Sequence, residues 1–441
     1  MKRILLISCL ISSFFFLAMD TESERLKKLR DIVDREVPEI EELYKHLHSH
    51  PELSLHEQES GKILAERVRQ LGFEVTEEVG GYGVVAMLKN GEGPTVLIRT
   101  DTDALPINEK TPIKWASKVV TKTEDGVESG VMHACGHDMH MAVWAGTAKT
   151  LWEMKDSWKG TLMMIAQPAE EIGAGAKAML EDGLYERFGV PDYGIALHCN
   201  AAMETGRIGY CPGFALASVD MVRLKIFGEG GHGAAPHTTI DPVVLASTII
   251  MDLQTIISRN VTPTDAGVVT VGAIHGGMRG NVIPDQVELQ LTLRSYKTEV
   301  RDQMLRRIKE ICDGNAMAFG LPPEKYPEMD FTFNSTPATY NDPALVEKTL
   351  PGFIEALGKD NVLQIPPIMG GEDFSRFHST KEKVPTFMFS LGTIDPDRMK
   401  KMKAEGNMPG LHSPFYYPDP TETIRTGITA MSAGVMEIMN K

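Results

Sequence analysis

The stretch from residue 217 to residue 333 most constrains the fold, because its apolar pattern describes a complete small domain. Alternating apolar residues and uninterrupted helical stretches predict four strands and two helices, in the order strand 217–228, helix 242–259, strand 268–274, strand 287–294, helix 300–319 and strand 329–333. This order is that of a ferredoxin-like sandwich, a four-stranded antiparallel sheet with helices on one face. A chain with this unit in its middle is expected to fold as more than one domain.

The segments on either side of this unit predict a single α/β domain. Short apolar runs that are typical of buried strands alternate with helical stretches up to about residue 215, and the same texture returns beyond residue 337. At 441 residues the chain is also too long for one ordinary core. We therefore predict a discontinuous domain of residues 20–215 and 338–441, interrupted by an inserted domain of residues 216–337.

The first residues have the pattern of a secretory leader. Two basic residues precede an apolar run over 4–18, and acidic residues follow it. The run is shorter than the roughly 20 residues that a spanning helix needs. Residues 1–19 are therefore predicted to be a signal peptide, which implies a secreted or periplasmic protein with no stable membrane span once the leader is removed.

Composition limits the kind of partner. The formal charge of −15 argues against nucleic acid or an anionic membrane, because both require basic surfaces. Hydrophobic residues at 42% and charged residues at 24% are typical of globular domains. The composition is therefore compatible with an enzyme that acts on a small molecule.

The stretch MHACGHDMH at residues 132–140 carries the densest set of metal-binding side chains. Cys135, His137, Asp138 and His140 lie within six residues, and thiolate with imidazole can hold a borderline-soft divalent ion. A buried cysteine is also a common inert core residue. This stretch alone therefore leaves both interpretations open.

Further polar residues follow predicted strands, where open α/β sheets place their sites. Asp101 and Asp103 end one strand and can orient a metal ligand, although capping aspartates in a plain loop are the alternative. Glu170 and Glu171 follow the next strand, and His198 ends a third. Adjacent side chains of an extended chain face opposite ways, so one glutamate can bind metal while the other holds water.

The collected ligand candidates exceed what one tetrahedral ion needs and suit two ions that share a bridging group. They are Cys135, His137, Glu171, His198 and His412. Two such ions polarise a carbonyl and activate a water molecule, and Glu170 is then the natural general base for hydrolysis. In the inserted domain, glycine-rich connections bring His232, His237, Arg279 and Asn281 into loops where they can reach a ligand.

Seven motifs, in this order along the chain, carry a family resemblance: RTDTDALP, HACGHDMH, QPAEE, GHGAAPH, NVIPD, MGGEDF and LHSPFY. They resemble the metal-dependent amidohydrolases that include hippurate hydrolase, N-acyl-amino-acid amidohydrolases and plant auxin-conjugate hydrolases. The resemblance implies a zinc-peptidase-like α/β catalytic domain with a central mixed sheet between helices. It further implies two zinc or manganese ions, a homodimer formed through the inserted domain, and cleavage of the amide bond of N-acyl-L-amino acids.

The resemblance also assigns expected roles to single residues. The five ligand candidates match the family's metal ligands, and Glu170 matches its general base. Asp103 matches an aspartate that orients a ligand, and His232 stands where a histidine, often of the neighbouring subunit, helps to hold the oxyanion. Asn281 matches an asparagine that helps to bind the substrate carboxylate, and Arg279 and Arg294 both remain open as its cationic partner.

Three other functions compete with this prediction. A metallo-dipeptidase or carboxypeptidase would use the same metal site. A cysteine hydrolase would take Cys135 as nucleophile with His137 or His140 as base, but would leave Glu171, His198 and His412 unexplained. A secreted binding protein that has lost catalysis is disfavoured by the presence of Glu170.

Overall fold

The computed structural model describes residues 2–123, 125–331 and 335–440, with side chains from Glu24 onward. The predicted signal peptide, residues 1–19, therefore lies outside the described side chains. The helices are α1 Lys2–Ser49, α2 Gln58–Gln70, α3 His137–Glu153, α4 Gly175–Glu181, α5 Leu184–Phe188, α6 Pro242–Thr255, α7 Thr298–Ala318, α8 Pro343–Leu357, α9 Ser375–His378, α10 Pro396–Glu405 and α11 Pro420–Met439.

The strands are short and lie along the whole chain. They are β1 Glu74–Val79, β2 Gly83–Asn90, β3 Thr95–Asp101, β4 Val120–Lys122, β5 Glu128–Gly130, β6 Gly160–Gln167, β7 Tyr193–Glu204, β8 Ile208–Tyr210, β9 Gly213–Leu216, β10 Ser218–Phe227, β11 Gly231–His232, β12 Gly267–Gly276, β13 Val282–Ile283, β14 Gln286–Ser295, β15 Glu328–Asp330, β16 Thr339–Asn341, β17 Val362–Gln364 and β18 Thr386–Ile394.

The chain forms two compact units. Unit 1 comprises Met1–Gly213, Asn341–Ile365 and Phe377–Lys441, and unit 2 comprises Phe214–Tyr340 and Pro366–Arg376. The predicted boundaries assigned residues 338–441 entirely to the discontinuous domain, and this is wrong for Pro366–Arg376. Backbone hydrogen bonds explain the difference, because the N–H of Ala217 donates to the Gly370 carbonyl at 2.8 Å and the N–H of Ile368 donates to the Ala215 carbonyl at 3.0 Å.

Unit 1 contains a mixed sheet, as predicted, in the strand order β1-β2-β6-β3-β7-β18-β8-β17. The strands β6, β3, β7 and β18 run parallel to one another, and β1 and β2 add an antiparallel edge. The central strands are buried along almost their whole length, which is typical of parallel strands covered on both faces. Helices α1, α3, α8 and α11 contribute buried residues to the same core, among them Ile40, Val143, Phe353 and Ile428.

Unit 2 has the predicted strand and helix order, β10-α6-β12-β14-α7-β15. Its sheet is antiparallel with the order β12-β14-β10-β15. Alternate residues of β10 and β14 are buried, and α6 and α7 pack on that face through Leu245, Ile249, Leu253, Met304 and Ile308. The unit is the ferredoxin-like sandwich that the apolar pattern predicted.

Among the described residues, one helical stretch, Pro242–Asn260, is long and apolar enough to cross a membrane by length and composition alone. Leu245, Ile249 and Leu253 of this stretch are fully buried in the core of unit 2. The core helix of a domain can also be long and apolar. The length and composition of this stretch are therefore weak evidence for a membrane span.

Candidate metal centre

Cys135 and His137 lie at the start of α3, where Gly136 turns the chain. Gly136 has φ +86°, and a Cβ at this position would lie 3.0 Å from Sγ of Cys199. Only glycine meets both conditions without strain. The turn allows α3 to begin at His137.

His137 is fixed by the end of β3. Its Nδ1 donates to the carbonyl of Asp103 at 2.7 Å, which turns Nε2 towards the centre of the site. The carboxylate of Asp103 lies 3.3 Å from the same Nδ1, and its Oδ2 accepts from Ser54 Oγ at 2.6 Å and from the N–H of Glu171 at 3.0 Å. Asp103 therefore contacts one ligand candidate and holds the backbone of another.

Glu170 and Glu171 follow β6 in a tight turn. The expectation of an extended chain with opposed side chains is wrong, because Ala169 has φ +52° and the N–H of Gly173 donates to the Glu170 carbonyl at 2.7 Å. Both carboxylates consequently approach Nε2 of His137, Oε2 of Glu170 at 4.0 Å and Oε1 of Glu171 at 3.8 Å.

His198 lies within β7, which continues to Glu204, so its prediction as a strand end is wrong. Pairing between β3 and β7, however, stops at Arg99 and Ala196, and His198 lies just beyond that point. Its Nδ1 donates to the Cys199 carbonyl at 2.8 Å, and its Nε2 lies 3.5 Å from Sγ of Cys135.

His412 reaches the site from the loop between α10 and α11. It has φ +64°, and its N–H donates to the Ala134 carbonyl at 2.8 Å. Its Nε2 lies 3.3 Å from Sγ of Cys135 and 3.6 Å from Oε2 of Glu171. His412 and Cys135 are thus in contact although they are 277 positions apart in the chain.

The five predicted ligands form two groups that share one residue. Within each group the potential ligand atoms lie within 4.8 Å of one another. The first trio is Cys135, His137 and His198, and the second trio is Cys135, Glu171 and His412. Because only Cys135 belongs to both trios, it would be the residue able to contact both of two bound ions.

The chemistry of these residues fits divalent zinc or manganese. Thiolate, imidazole and carboxylate are ligands that these metals accept. The buried Nε2 of His137 makes no hydrogen bond within the described part of the chain. Although burial opposes a charge on this ring, Asp101, Asp103 and Glu171 raise the pKa of His137 to about 10. The carboxylates that favour a proton at this position also favour a metal cation.

Asp101 and His140 lie beside the first trio and contact each other. The sequence did not predict this contact. Nδ1 of His140 lies 2.6 Å from Oδ1 of Asp101, and Nε2 of His140 accepts the N–H of Cys199 at 2.8 Å. Burial lowers the pKa of His140 to about 4. With both ring nitrogens engaged, His140 cannot act as the base of a cysteine nucleophile. The sequence signal was the three-residue spacing of two histidines on one helix face.

A second buried histidine was also missed. Nδ1 of His48 lies 2.6 Å from Oδ2 of Asp138, and Nε2 lies 3.1 Å from Oε1 of Glu109. Burial opposes the charge of this ring, but the two carboxylates raise the pKa of His48 to about 9. No sequence pattern marked this contact, since His48 and Asp138 are 90 positions apart in the chain.

The predicted substrate residues of unit 2 fall into two places within that unit. His232 pairs with Val282 between β11 and β13, and the N–H of Gly233 donates to the Asn281 carbonyl at 2.9 Å. Arg279 is exposed in the same loop. Arg294 comes eight residues after Gln286 on β14, or about 27 Å along the strand at about 3.4 Å per residue.

The two arginines also differ in surroundings. Arg294 is half-buried and its Nε donates to Thr292 Oγ1 at 3.3 Å, and burial lowers the pKa of Arg294. Arg279 shares its loop with Asn281, whereas Arg294 does not. Their predicted roles in binding a substrate carboxylate stay predictions.

The chain matches the model of Peptidase family M20/M25/M40 over residues 97–432. It is 36% identical over 353 residues to an N-acetyl-L-cysteine deacetylase of Bacillus subtilis, with 79% of each chain covered. It is 36% identical over 378 residues to thermostable carboxypeptidase 2 of Saccharolobus solfataricus, with 82% of this chain and 90% of the relative covered.

A solved structure supports the same family assignment. The chain is similar to a Bacillus subtilis protein described as a dinuclear metal binding peptidase from the M20 family, with a TM-score of 0.72 and 30% identity. The similarity covers 92% of this chain and 100% of that chain. Both the fold and the order of elements are therefore shared with a protein described as binding two metal ions.

Proposed function

The chain belongs to Peptidase family M20/M25/M40, and on that premise we propose that it is a two-metal amidohydrolase that cleaves N-acyl-L-amino acids or related amino-acid conjugates. The observation that carries the proposal is the position of one sulfur atom. Sγ of Cys135 lies 3.5 Å from Nε2 of His198 and 3.3 Å from Nε2 of His412.

Each trio would hold one divalent ion. His137 and His198 would bind one, Glu171 and His412 would bind the other, and Cys135 would contact both. When bound, two such ions supply Lewis acidity towards an amide carbonyl and acidify water. The protein's own part is to fix these five side chains, two of which are held by hydrogen bonds from Nδ1 to backbone carbonyls.

Glu170 is proposed as the general base. Its Oε2 lies 4.0 Å from Nε2 of His137, and only 10% of its side chain is exposed, so it is close to the centre. Its carboxylate also lies within 4.8 Å of potential ligand atoms of His137 and Glu171. A carboxylate in this position can take a proton from the attacking water and pass it to the leaving amine.

The metal is proposed to be zinc or manganese. Cysteine and histidine favour zinc, whereas carboxylate and imidazole also suit manganese. Elemental analysis of protein purified without added metal tests this proposal, with about two equivalents expected. Protein that binds no divalent metal under any condition would overturn the two-metal function.

The substrate class is tested with a panel of acetyl, benzoyl and aminoacyl amino acids. We expect release of the free amino acid from the acyl compounds and loss of that activity on chelation. The second candidate is a metallo-dipeptidase or carboxypeptidase with the same site, which the similarity to a carboxypeptidase favours. Hydrolysis of peptides without any deacylation would favour this second candidate over the first.

A homodimer through unit 2 is part of the proposal. Val244 and Met251 on α6, and Ile274 and Met278 at or beside β12, are large apolar residues exposed to solvent in the single chain. β12 is also an edge strand of its sheet, with β14 as its neighbour. Met251→Glu is expected to convert a dimer to a monomer in light-scattering measurements, and a wild-type monomer would contradict the proposal.

We also propose export of the protein. The basic residues and apolar run at the N-terminus support removal of residues 1–19 by a signal peptidase. N-terminal mass spectrometry of protein isolated from its natural cells should then find a chain that begins near residue 19 or 20. An intact leader on a protein inside the cell would contradict this proposal.

A further inference from the structure

His140 occupies a defined tautomer that its neighbours determine. Its Nε2 faces the N–H of Cys199 at 2.8 Å, and a backbone N–H can only donate. Nε2 must therefore be the acceptor, and the ring proton lies on Nδ1, 2.6 Å from Oδ1 of Asp101. Asp101 is held in turn by Arg99, whose NH1 group donates to Oδ2 at 2.7 Å.

The backbone of Cys199 connects this ring to a ligand candidate. Its N–H donates to Nε2 of His140, and its carbonyl accepts from Nδ1 of His198 at 2.8 Å. One continuous path of hydrogen bonds thus runs from Asp101 through His140 and Cys199 to the ring of His198. The last bond of this path turns Nε2 of His198 towards Sγ of Cys135.

Ring packing acts on the same trio. The ring centroid of His140 lies 5.3 Å from that of His137 and 4.9 Å from that of His198, the latter with an interplanar angle of 65°. His140 is also buried, so its ring cannot turn without displacing these neighbours. Its contacts therefore orient both histidines of the first trio.

We propose that His140 is a positioning residue for the ion of the first trio, which it serves by holding His198 through the backbone of Cys199, while Asp101 maintains the tautomer that this requires. The proposal rests on the two-metal function proposed above. It implies that a defect at His140 weakens the binding of one ion and leaves the other nearly unchanged. Residues that support a metal ligand in this way typically contribute about 10- to 100-fold to metal affinity.

Two substitutions at His140 separate the hydrogen bond to Cys199 from the hydrogen bond to Asp101. His140→Gln keeps an acceptor near the place of Nε2 and can still bind the N–H of Cys199. His140→Asn keeps a donor near Nδ1 for Asp101 but leaves the N–H of Cys199 without its acceptor. We expect the asparagine variant to bind one ion about 10- to 100-fold more weakly, and the glutamine variant to recover most of that loss.

A matched control lies one turn further along the same helix. Nε1 of Trp144 donates to the Ile98 carbonyl at 3.2 Å and also joins α3 to β3, but this hydrogen bond includes no residue of either trio. Trp144→Phe removes one buried hydrogen bond between the same two elements. It is expected to retain both ions at wild-type affinity.

The experiment measures metal equivalents and both dissociation constants by competition with a chelator, beside the unfolding free energy of each full-length variant. A single weakened ion in His140→Asn, with two normal ions in Trp144→Phe, supports the proposal. Wild-type affinity for both ions in His140→Asn overturns it. Equal losses of metal in both variants, in step with their unfolding free energy, also overturn it, because the role would then be structural.

A variant that preserves side-chain size guards against misfolding of His140→Asn. Asp101→Asn removes the charge beside Nδ1 and is expected to weaken the same single ion, whereas normal binding in it overturns the role proposed for Asp101. Wild-type protein that binds no metal would overturn the proposed function and this inference together. Two normal ions in every variant would overturn the inference alone.

Discussion

The two trios that meet at Cys135 are built differently. In the first trio both histidines donate Nδ1 to a backbone carbonyl, and His137 is fully buried. In the second trio His412 leaves 54% of its side chain exposed and is carried by a loop rather than by a helix or strand. The two histidines of the first trio are therefore held by backbone groups of the core, whereas His412 of the second trio faces solvent.

This difference between the two trios shows how one site can be both rigid and accessible. Ligands fixed by strands and helices keep their geometry without help from the metal. A substrate must nevertheless enter from solvent, and His412 is the most exposed of the five side chains. We expect the ion of the second trio to exchange faster than the ion of the first.

Replacement of the shared residue is expected to have the largest effect. Cys135→Ala removes the ligand common to both trios, so metal content should fall from about two equivalents to near none, and turnover should fall to that of the metal-free protein. Elemental analysis after dialysis measures this. Retention of one tightly bound ion would show that the trios do not share the sulfur.

Glu170→Gln should separate chemistry from metal binding. Glu170 belongs to neither trio, so both ions should remain, while loss of the general base lowers turnover by about 10²- to 10⁴-fold. The matched control is Glu171→Gln, which should lower metal content as well. Normal turnover in Glu170→Gln would remove this residue as the base.

The two halves can be compared directly by the rate of metal loss. With excess chelator the wild-type protein should lose its ions in two phases, because His412 of the second trio is exposed whereas His137 of the first trio is buried. His412→Ala should abolish the fast phase and His198→Ala the slow phase, with rates that differ by about tenfold or more. A single phase in the wild type would mean that the two halves are equally accessible.

The smallest expected effect is on stability and depends on pH. The pKa of His48 is about 9 in the folded protein and about 6.5 in an unfolded chain. Because folding raises this pKa, the stabilisation is complete below pH 6.5 and is lost as pH rises through about 9, and it amounts to at most about 3 kcal/mol.

His48→Gln tests this stability prediction, because it removes the titrating ring beside Asp138. The variant should be less stable near pH 6 and should lose the part of the pH dependence that lies between pH 6.5 and 9. Urea unfolding at several pH values, with metal removed, measures both. An unchanged pH dependence would mean that His48 is neutral in the folded protein.

The sequence predicted the secondary-structure elements and the residues of the site better than it predicted the contacts between distant segments. The apolar pattern predicted the ferredoxin-like unit, because strand and helix periods are local properties. The family resemblance implied the mixed sheet. The seven motifs predicted the family, and this is confirmed. The five ligand candidates were predicted from their residue types and from the motifs that contain them, and the structure brings all five together.

What the sequence did not predict depends on contacts between distant segments. The pair of His140 and Asp101 joins residues 39 positions apart, and the pair of His48 and Asp138 joins residues 90 apart. The turn at Ala169 was missed because a non-glycine residue with positive φ has no composition signal. Likewise, Pro366–Arg376 joins unit 2 through hydrogen bonds between backbone groups. Such bonds do not depend on side-chain identity, so they leave no pattern in the sequence.

The left-handed backbone at His412 has a consequence for engineering. A residue with a Cβ at φ +64° pays roughly 1–2 kcal/mol that glycine would not. A search for heat-resistant variants should therefore favour glycine at this position, and His412→Gly would lack one of the proposed metal ligands. Screens on this enzyme should score hydrolysis and thermal tolerance together.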